Sequence, residues 1–240
     1  MIRIISDSST MYSPRDAKEK GFDVAPLTVT INGESYRELD EISGEEFVQK
    51  VRDGHMPKSS QPSVGEVLAL YDQYQDDEIL VIPAGEYHRN FIGQAPEHAF
   101  HITGVGIEYD LELDDRNSPQ EIVDAIKEAG GFCTLAHPIW SMMTFQQCID
   151  LKNYDAIEVY NTISDVYSGR GYSDLYIDML ASRGIYKKIT AVDDAHYYDR
   201  DAFVGYIMVQ AENNTWEEIH QALKENRFYA SQGPEIYRIQ

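Results

Sequence analysis

The sequence predicts an α/β fold, with a mainly parallel sheet or a distorted β/α barrel, and three observations indicate it. Short apolar runs alternate with amphipathic segments along the chain. Capping boxes and Ser-Pro pairs mark where several helices begin. Polar side chains come directly after apolar runs, as they do at the carboxyl ends of strands, where α/β proteins bind ligands. Because parallel strands need a long crossover between them, the alternation favours parallel pairing.

The first eighty residues predict a strand-to-helix unit, a hairpin and two further helices. Ser13 and Pro14 supply an N-cap and a first-turn proline. Asn32-Gly33 suits the left-handed angles of a type I′ turn, which predicts a β-hairpin. Ser-x-x-Glu capping boxes at Ser43 and Ser63 each open a helix. The predicted elements are a strand over 2–6, a helix over 13–20, hairpin strands over 24–31 and 34–39, helices over 44–53 and 64–75, and a buried strand over 78–83.

Beyond residue 80 the alternation of helix and strand is regular. Ser118-Pro119 opens a helix that Gly130-Gly131 ends, and Thr215 with Glu218 forms another capping box. The predicted helices cover 119–129, 144–152, 173–183 and 215–226. The predicted strands cover 132–138, 156–161, 188–196 and 204–210.

Composition excludes several classes of protein. The 240 residues carry 20 basic and 41 acidic side chains, a formal net charge of −21, and 42% of them are hydrophobic. A chain with this much apolar material is expected to fold, and its negative surface disfavours general nucleic-acid binding. We also expect no membrane partner and a cytoplasmic location, because no apolar run is long enough to span a bilayer and the amino terminus lacks a signal-like pattern. Cys133 and Cys148 have no disulfide or zinc spacing and are expected to be buried thiols without a role.

Histidine and carboxylate side chains follow successive predicted strands. These candidate ligands are Glu86, His101, His137, Asp194 and His196. Imidazole and carboxylate groups bind Zn, Mn or Fe(II), and the spacing of Asp194-x-His196 sends both side chains to one face of an extended chain. Considered alone, a histidine is more often a hydrogen-bonded surface or core residue than a metal ligand, but polar groups placed together directly after apolar strands favour a functional site. The other histidines of this part, His88, His98 and His220, are expected at the surface.

Residues 82–240 resemble the polymerase and histidinol phosphatase (PHP) superfamily of metal-dependent phosphoesterases. The matching runs are IPAGEYH, HITGVGIE, GGFCTLAHP, DAIEVYN and KITAVDDAH. The resemblance implies a distorted seven-stranded barrel that holds two or three divalent ions and hydrolyses a small phosphorylated substrate. It implies that the five candidate ligands hold metal, that Asp194 and His196 also serve catalysis, and that Asn161 lines the site.

The first strand departs from the PHP pattern. That family opens with a His-x-His strand end, whereas this chain has Ser6, Asp7, Ser8 and Ser9 there. Serine hydroxyls are poor ligands for these metals, so the sequence predicts at most a partial metal site.

Residues 1–80 instead resemble the start of the DegV family of fatty-acid-binding proteins. The matching runs are IISDSST, VAPLTVTINGESYRE, DEISGEEF and PKSSQPSVGEVLALY. The resemblance implies the first part of an α/β lobe in which Ser59 and its neighbour Ser60 hold a lipid carboxylate. A simpler interpretation is that residues 59–63 only cap a helix. The family's second glycine- and serine-rich loop and its helical lobe have no counterpart in the sequence.

Three hypotheses therefore stand. The chain is a PHP-like phosphoesterase with an incomplete ligand set, a DegV-like fatty-acid-binding protein, or a recombined or engineered chimera without activity. In each case residues 1–80 form a DegV-like segment and residues 81–240 a PHP-like portion, packed as one unit or as two closely joined units. The sequence leaves the substrate, the metal and the oligomeric state open.

Overall fold

The computed structural model describes residues 5–8, 12–60, 62–74, 82–91, 98–109, 111–114, 116–196 and 200–236. The chain divides into two compact units. The first unit comprises Met1–Ile79 with His196–Tyr198, and the second comprises Leu80–Ala195 with Asp199–Gln240. None of the described helices is long and apolar enough to cross a membrane.

The first unit contains one parallel strand pair and one antiparallel sheet. Its elements are β1 (Ile5–Asp7), α1 (Pro14–Lys20), β2 (Asp23–Ala25), β3 (Thr28–Ile31), β4 (Glu34–Arg37), α2 (Gly44–Arg52), β5 (Lys58–Ser60), α3 (Val64–Tyr71) and a 3-10 turn, Asp72–Tyr74. Strand β1 pairs in parallel with β2, and β3 lies between β4 and β5 in the antiparallel sheet. Val29, Ile31 and Ile42 form a small core beneath that sheet.

The local signals of the first unit are confirmed. The Ser13 side chain accepts a hydrogen bond from the N–H of Asp16, and both capping boxes, at Ser43 and Ser63, form. The hairpin turn at Asn32-Gly33 has φ of 55° and 83°, as a type I′ turn requires. Residues 2–4 and 78–81 of the two predicted flanking strands lie outside the described residues, and residues 82–83 are not in a strand.

The second unit is built on a five-stranded mixed sheet. Its elements are β6 (Ala84–Phe91), β7 (His98–Val105), α4 (Pro119–Glu128), β8 (Phe132–Leu135), α5 (Phe145–Asp150), β9 (Ala156–Asn161), α6 (Thr162–Ser168), α7 (Asp174–Ala181), β10 (Lys188–Val192), β11 (Tyr206–Val209), α8 (Trp216–Lys224) and β12 (Phe228–Ser231). The sheet order is β10-β9-β8-β7-β6, and β11 pairs separately with β12. Strands β8, β9 and β10 are parallel, whereas β6–β7, β7–β8 and β11–β12 are antiparallel.

The α/β class is confirmed, but a mainly parallel sheet and a barrel are not found. Within the described ranges the five-stranded sheet is open, with β6 and β10 at its edges. Residues 92–97 are all that join β6 to β7, and a connection this short allows only antiparallel pairing. The sequence also misses β5, β6, β7, α6 and β12 as regular elements.

Both faces of the five-stranded sheet are partly covered. On one face Ile102, Leu135 and Ile157 pack against α4, α5 and α7 in the main core. On the other face Phe132 and Ala156 pack with Leu223 of α8 and with apolar residues of β11 and β12. Glu86 and His101 also project from this second face. His101 is two positions from Thr103 on β7, and Glu86 lies opposite Thr103 on β6, whereas Ile102 points to the first face.

Candidate functional site

Three predicted ligands meet in the second unit. The metal-ligand cluster consists of Glu86, His101 and His137, and its ligand atoms all lie within 4.8 Å of one another. Nδ1 of His101 is 2.5 Å from Oε1 of Glu86. Nε2 of His137 is 4.0 Å from the same oxygen. The structure thus brings together residues that are up to 51 positions apart in the sequence.

Strand pairing explains why these residues converge. In the antiparallel pair β6–β7, Glu86 lies opposite Thr103 and His88 lies opposite His101. Strand β8 runs antiparallel to β7 and ends at Leu135 opposite Ile102, and the N–H of Ala136 donates to the carbonyl of His101 at 3.0 Å. His137 therefore follows the end of β8 beside His101, with ring centroids 4.9 Å apart.

The charge state of Glu86 suits a ligand. Burial alone would raise the pKa of Glu86. The hydrogen bond from His101 and the charges of His101, His137 and His88 outweigh burial, so the pKa of Glu86 is lower than usual. Glu86 is therefore an ionised carboxylate at neutral pH, which is the form that coordinates metal.

Asp194 and Asn161 extend the cluster on the side of β9 and β10. Oδ2 of Asp194 lies 3.7 Å from Nε2 of His137 and accepts a hydrogen bond of 3.2 Å from Nδ2 of Asn161. Oδ1 of Asn161 caps α6 by accepting from the N–H of Ser164 at 3.0 Å, so the fully buried Asn161 is fixed at both ends. His137 and Asp194 have positive φ angles of 25° and 52°. Such strained backbone persists where surrounding contacts hold it, often at functional sites.

Sequence reasoning missed Glu158, the buried carboxyl group behind this site. Oε2 of Glu158 accepts hydrogen bonds from the N–H of His137 at 2.8 Å and from Nδ2 of Asn161 at 3.2 Å. Burial is the main cause that raises its pKa to about 8, and the charges of Asp194 and Glu86 act in the same direction against these hydrogen bonds. One acidic residue inside the apolar run AIEVYN was the signal that could have revealed it.

The remaining candidates have other locations. His196 belongs to the first unit, whereas Glu86, His101, His137 and Asp194 belong to the second. Ser59 and Ser60 are exposed on β5, opposite Val29 and Thr28 of β3. The helix cap in this stretch is made by Ser63 and not by these two serines.

The three histidines that were expected at the surface differ from one another. His88 is exposed, as expected. His98 is half-buried and stacks on Phe91, with ring centroids 4.7 Å apart. His220 is half-buried and stacks on Trp216 at 4.4 Å, so the surface prediction is wrong for His98 and His220. Trp216 lies four positions before His220 on α8, so the helix spacing predicts this contact, whereas Phe91 and His98 meet only through the pairing of β6 with β7.

Ser8, one of the residues that stand where the PHP pattern has histidines, makes hydrogen bonds that hold the first unit together. It is fully buried, accepts a hydrogen bond from the N–H of Leu27 at 2.9 Å and donates one to Glu38 at 2.6 Å. Ser9 lies outside the described residues. The hydroxyl of Ser8 is thus engaged inside the first unit.

The donor set of the second unit fits a divalent transition metal. Two imidazoles and one ionised carboxylate within 4.8 Å, with a second carboxylate nearby at Asp194, are ligand types of zinc, manganese and iron. Nδ1 of His137 lies 3.1 Å from Oγ of Ser141, a contact of the kind that orients imidazole ligands in proteins, and leaves Nε2 facing Glu86 and Asp194.

Comparison with known proteins finds a family similarity in the amino-terminal part. The DegV family model matches residues 1–86. That family is described as one of uncharacterised proteins. The match confirms the DegV resemblance for this part of the chain.

Similarity to two curated DegV domain-containing proteins covers more of this chain than the family model does. A DegV domain-containing protein of Listeria monocytogenes is 40% identical over 118 residues, which cover 47% of this chain and 41% of that protein. A DegV domain-containing protein of Lactococcus lactis is 30% identical over 132 residues, covering 53% of this chain and 47% of that protein. Since 47% of 240 residues is about 113, the similarity is longer than the eighty residues that the motifs indicated. The chain spans less than half the length of these two relatives.

Solved DegV structures are similar over a shorter stretch. A fatty-acid-binding DegV family protein of Thermus thermophilus is 31% identical, with a TM-score of 0.29, over 33% of this chain and 29% of that chain. DegV of Bacillus subtilis, a fatty-acid-binding protein, is 32% identical, with a TM-score of 0.28, over 31% of this chain and 27% of that chain.

Proposed function

We propose that the DegV-like part of this chain contributes the carboxylate-binding portion of a fatty-acid site. The match of residues 1–86 to the DegV family is the observation that carries this proposal. Fatty-acid binding is the activity named for the similar proteins of Thermus thermophilus and Bacillus subtilis. The ligand class is therefore a long-chain carboxylate.

The hydroxyls of Ser59 and Ser60 are the proposed anchors. Both side chains are exposed on β5, so they are accessible to a ligand. Three residues further on, the side chain of Ser63 caps the start of α3. A carboxylate gains charge-assisted hydrogen bonds from hydroxyl donors, which are stronger than bonds between neutral groups.

Lipid extraction and titration test this proposal. Mass spectrometry of a solvent extract of the purified chain is expected to detect fatty acid, and stearate is expected to bind at the first unit. The double variant Ser59→Ala with Ser60→Ala should weaken stearate binding about tenfold. The two side chains project from opposite faces of β5, so the carboxylate loses the charge-assisted hydrogen bond of whichever hydroxyl faces it. Ser35→Ala, at an exposed serine on β4 at the other edge of the same sheet, is the matched control. Equal affinity of the double variant and the wild-type chain would show that these hydroxyls are not the anchors.

A second candidate function rests on the metal-ligand cluster. We propose that Glu86, His101 and His137 hold a divalent zinc, manganese or iron ion and that the second unit hydrolyses a small phosphate ester. The single observation in its favour is the approach of the three ligand groups to within 4.8 Å. A divalent ion supplies Lewis-acid activation of water and neutralises phosphoryl charge.

The residues of the chain have distinct proposed roles at this centre. Glu86, His101 and His137 bind the ion. Asp194, whose Oδ2 lies 3.7 Å from Nε2 of His137, would bind the ion or accept a proton. Asn161 orients Asp194 through its 3.2 Å hydrogen bond.

Metal analysis separates binding from catalysis. The purified chain, dialysed against zinc or manganese and then against buffer, is expected to retain metal, and His137→Ala should lose it. Hydrolysis of p-nitrophenyl phosphate by the loaded chain then tests the reaction. A chain that retains no metal would rule out this centre, and a loaded chain without turnover would leave a metal-binding protein that is not a phosphatase.

A further inference from the structure

We propose that His88 is a fourth metal ligand, which joins Glu86, His101 and His137 around one ion. This inference rests on the proposed metal centre and goes beyond it, because the motifs place His88 at the surface without a role. The ligand set then consists of one carboxylate and three imidazoles. Four protein ligands are the number that a closed, structural tetrahedral zinc site takes, so a water that takes part in hydrolysis would need a fifth position on the ion.

The register of β6 and β7 places His88 next to the cluster. Residues 86 and 88 are two positions apart on one strand, so their side chains project from the same face of the sheet. His88 lies directly opposite His101 on the neighbouring strand. Cross-strand partners have Cβ atoms only about 5 Å apart, which is within the reach of two imidazoles that share an ion.

The imidazole rings form a continuous row. The ring centroids of His88 and His101 are 5.7 Å apart, and those of His101 and His137 are 4.9 Å apart. His88 thus lies beside His101, the ring whose Nδ1 is 2.5 Å from the Glu86 carboxylate. Hence His88 faces the same carboxylate that His101 and His137 face.

His88 can reach an ion without disturbing the fold. Its side chain is exposed, whereas its neighbours Tyr87 and Phe91 point to the opposite face and pack against the main core. Its ligand atoms are outside the set that lies within 4.8 Å, so coordination needs a rotation of the side chain. An exposed side chain makes such a rotation at little energetic cost, and a metal bond repays it.

Zinc affinity is the first test. We expect wild-type chain to bind one zinc in competition with a chromophoric chelator, and His88→Ala to raise the zinc Kd about tenfold or more, because removal of even an outer-shell partner costs 10- to 100-fold. His98→Ala is the matched control, since His98 lies on β7 with its side chain on the opposite face, stacked on Phe91. Far-ultraviolet circular dichroism checks that each variant is folded.

Spectroscopy distinguishes a ligand from a neighbour. X-ray absorption of the zinc-loaded chain should count three imidazoles in the wild type and two in His88→Ala. His88→Cys replaces one ligand by another, so it should retain zinc affinity. Its cobalt form should gain a thiolate-to-cobalt charge-transfer band that the wild-type chain lacks.

The outcomes separate this inference from the proposed function. Unchanged affinity in His88→Ala, two imidazoles in the wild-type chain, or no thiolate band in His88→Cys would each overturn the role of His88 while the three-residue centre stands. A wild-type chain that binds no zinc would overturn both. Zinc binding through His88 without phosphatase activity would support the inference and reject the phosphoesterase.

Discussion

The backbone N–H of His137 donates a 2.8 Å hydrogen bond to Oε2 of Glu158, which ties the strained residue after β8 to the middle of β9. The carboxyl group of Glu158 is 3% exposed, and burial raises its pKa to about 8. This single contact links the geometry of the metal-ligand cluster to the protonation state of a buried group.

The raised pKa of Glu158 predicts that stability depends on pH. In the unfolded chain this carboxyl group loses its proton near pH 4.5, whereas in the folded chain it keeps the proton until about pH 8. The folded state therefore binds more protons between these values, so Glu158 lowers the free energy of unfolding progressively as the pH rises through this window.

Glu158→Gln should remove that dependence, because the amide does not titrate and retains an oxygen that can accept from the N–H of His137. The measurement is thermal unfolding of the metal-free chain and the variant between pH 5 and pH 8. We expect the stability of the variant relative to wild type to rise with pH by a few kcal/mol. A difference that stays constant over this range would contradict the pKa assigned to Glu158. His220, whose pKa is lowered mainly by burial, titrates in both proteins and cancels in the comparison.

We predict that the partly buried ion pair of Asp155 with Lys127 contributes more to stability than the exposed pair of Asp114 with Arg116. Asp155 accepts from Nζ of Lys127 at 2.6 Å and from the N–H of Cys133 at 2.8 Å in a partly buried setting. Asp155→Ala leaves the N–H of Cys133 unsatisfied and should lower the free energy of unfolding by about 1–3 kcal/mol in denaturant titrations. Asp114→Ala removes the exposed pair with Arg116 and should change it by less than about 1 kcal/mol. Equal losses would mean that burial does not distinguish the two pairs.

We predict that substitution by alanine destabilises the fold more at Gly106 than at Gly184, although the two glycines have similar backbone angles. Gly106 and Gly184 have φ of 76° and 73°, so an added Cβ is strained at both, at a cost of about 1–2 kcal/mol. At Gly184 no atom lies within 4 Å of the added Cβ, whereas at Gly106 it would overlap the ring of Trp216. Gly106→Ala should therefore cost about 1–3 kcal/mol more than Gly184→Ala in the free energy of unfolding. Similar midpoints in urea for the two variants would show that Trp216 moves aside freely.

We predict that both cysteine thiols react slowly in the folded chain. Cys133 and Cys148 are 0% and 1% exposed, and burial raises the pKa of each thiol to about 12. Since the thiolate is the reactive form, a thiol reagent such as 5,5′-dithiobis(2-nitrobenzoic acid) at pH 8 should label neither cysteine until denaturant is added. Fast labelling of one thiol without denaturant would indicate that this part of the core opens readily.

The sequence by itself determined the local structure. Helix starts at Ser13, Ser43, Ser63 and Ser118 and the turn at Asn32-Gly33 were predicted correctly, because capping and turn geometry depend on residues within about four positions. At Thr215 only half of the predicted box forms, because the carboxylate of Glu218 bonds to Asn213 and to the N–H of Glu212. The motifs also selected Glu86, His101 and His137 before any geometry was known.

The tertiary structure decided how these pieces are combined. Residues 84–91 form an edge strand antiparallel to β7, and only this pairing places His88 opposite His101 and Glu86 on the same face. Glu158 gains its importance from a hydrogen bond to a residue 21 positions away. Sheet order and strand register depend on contacts distant in sequence, whose energies arise from packing that alternation alone does not specify. A single sequence therefore indicates which side chains can bind a metal, whereas the sheet determines which of them meet.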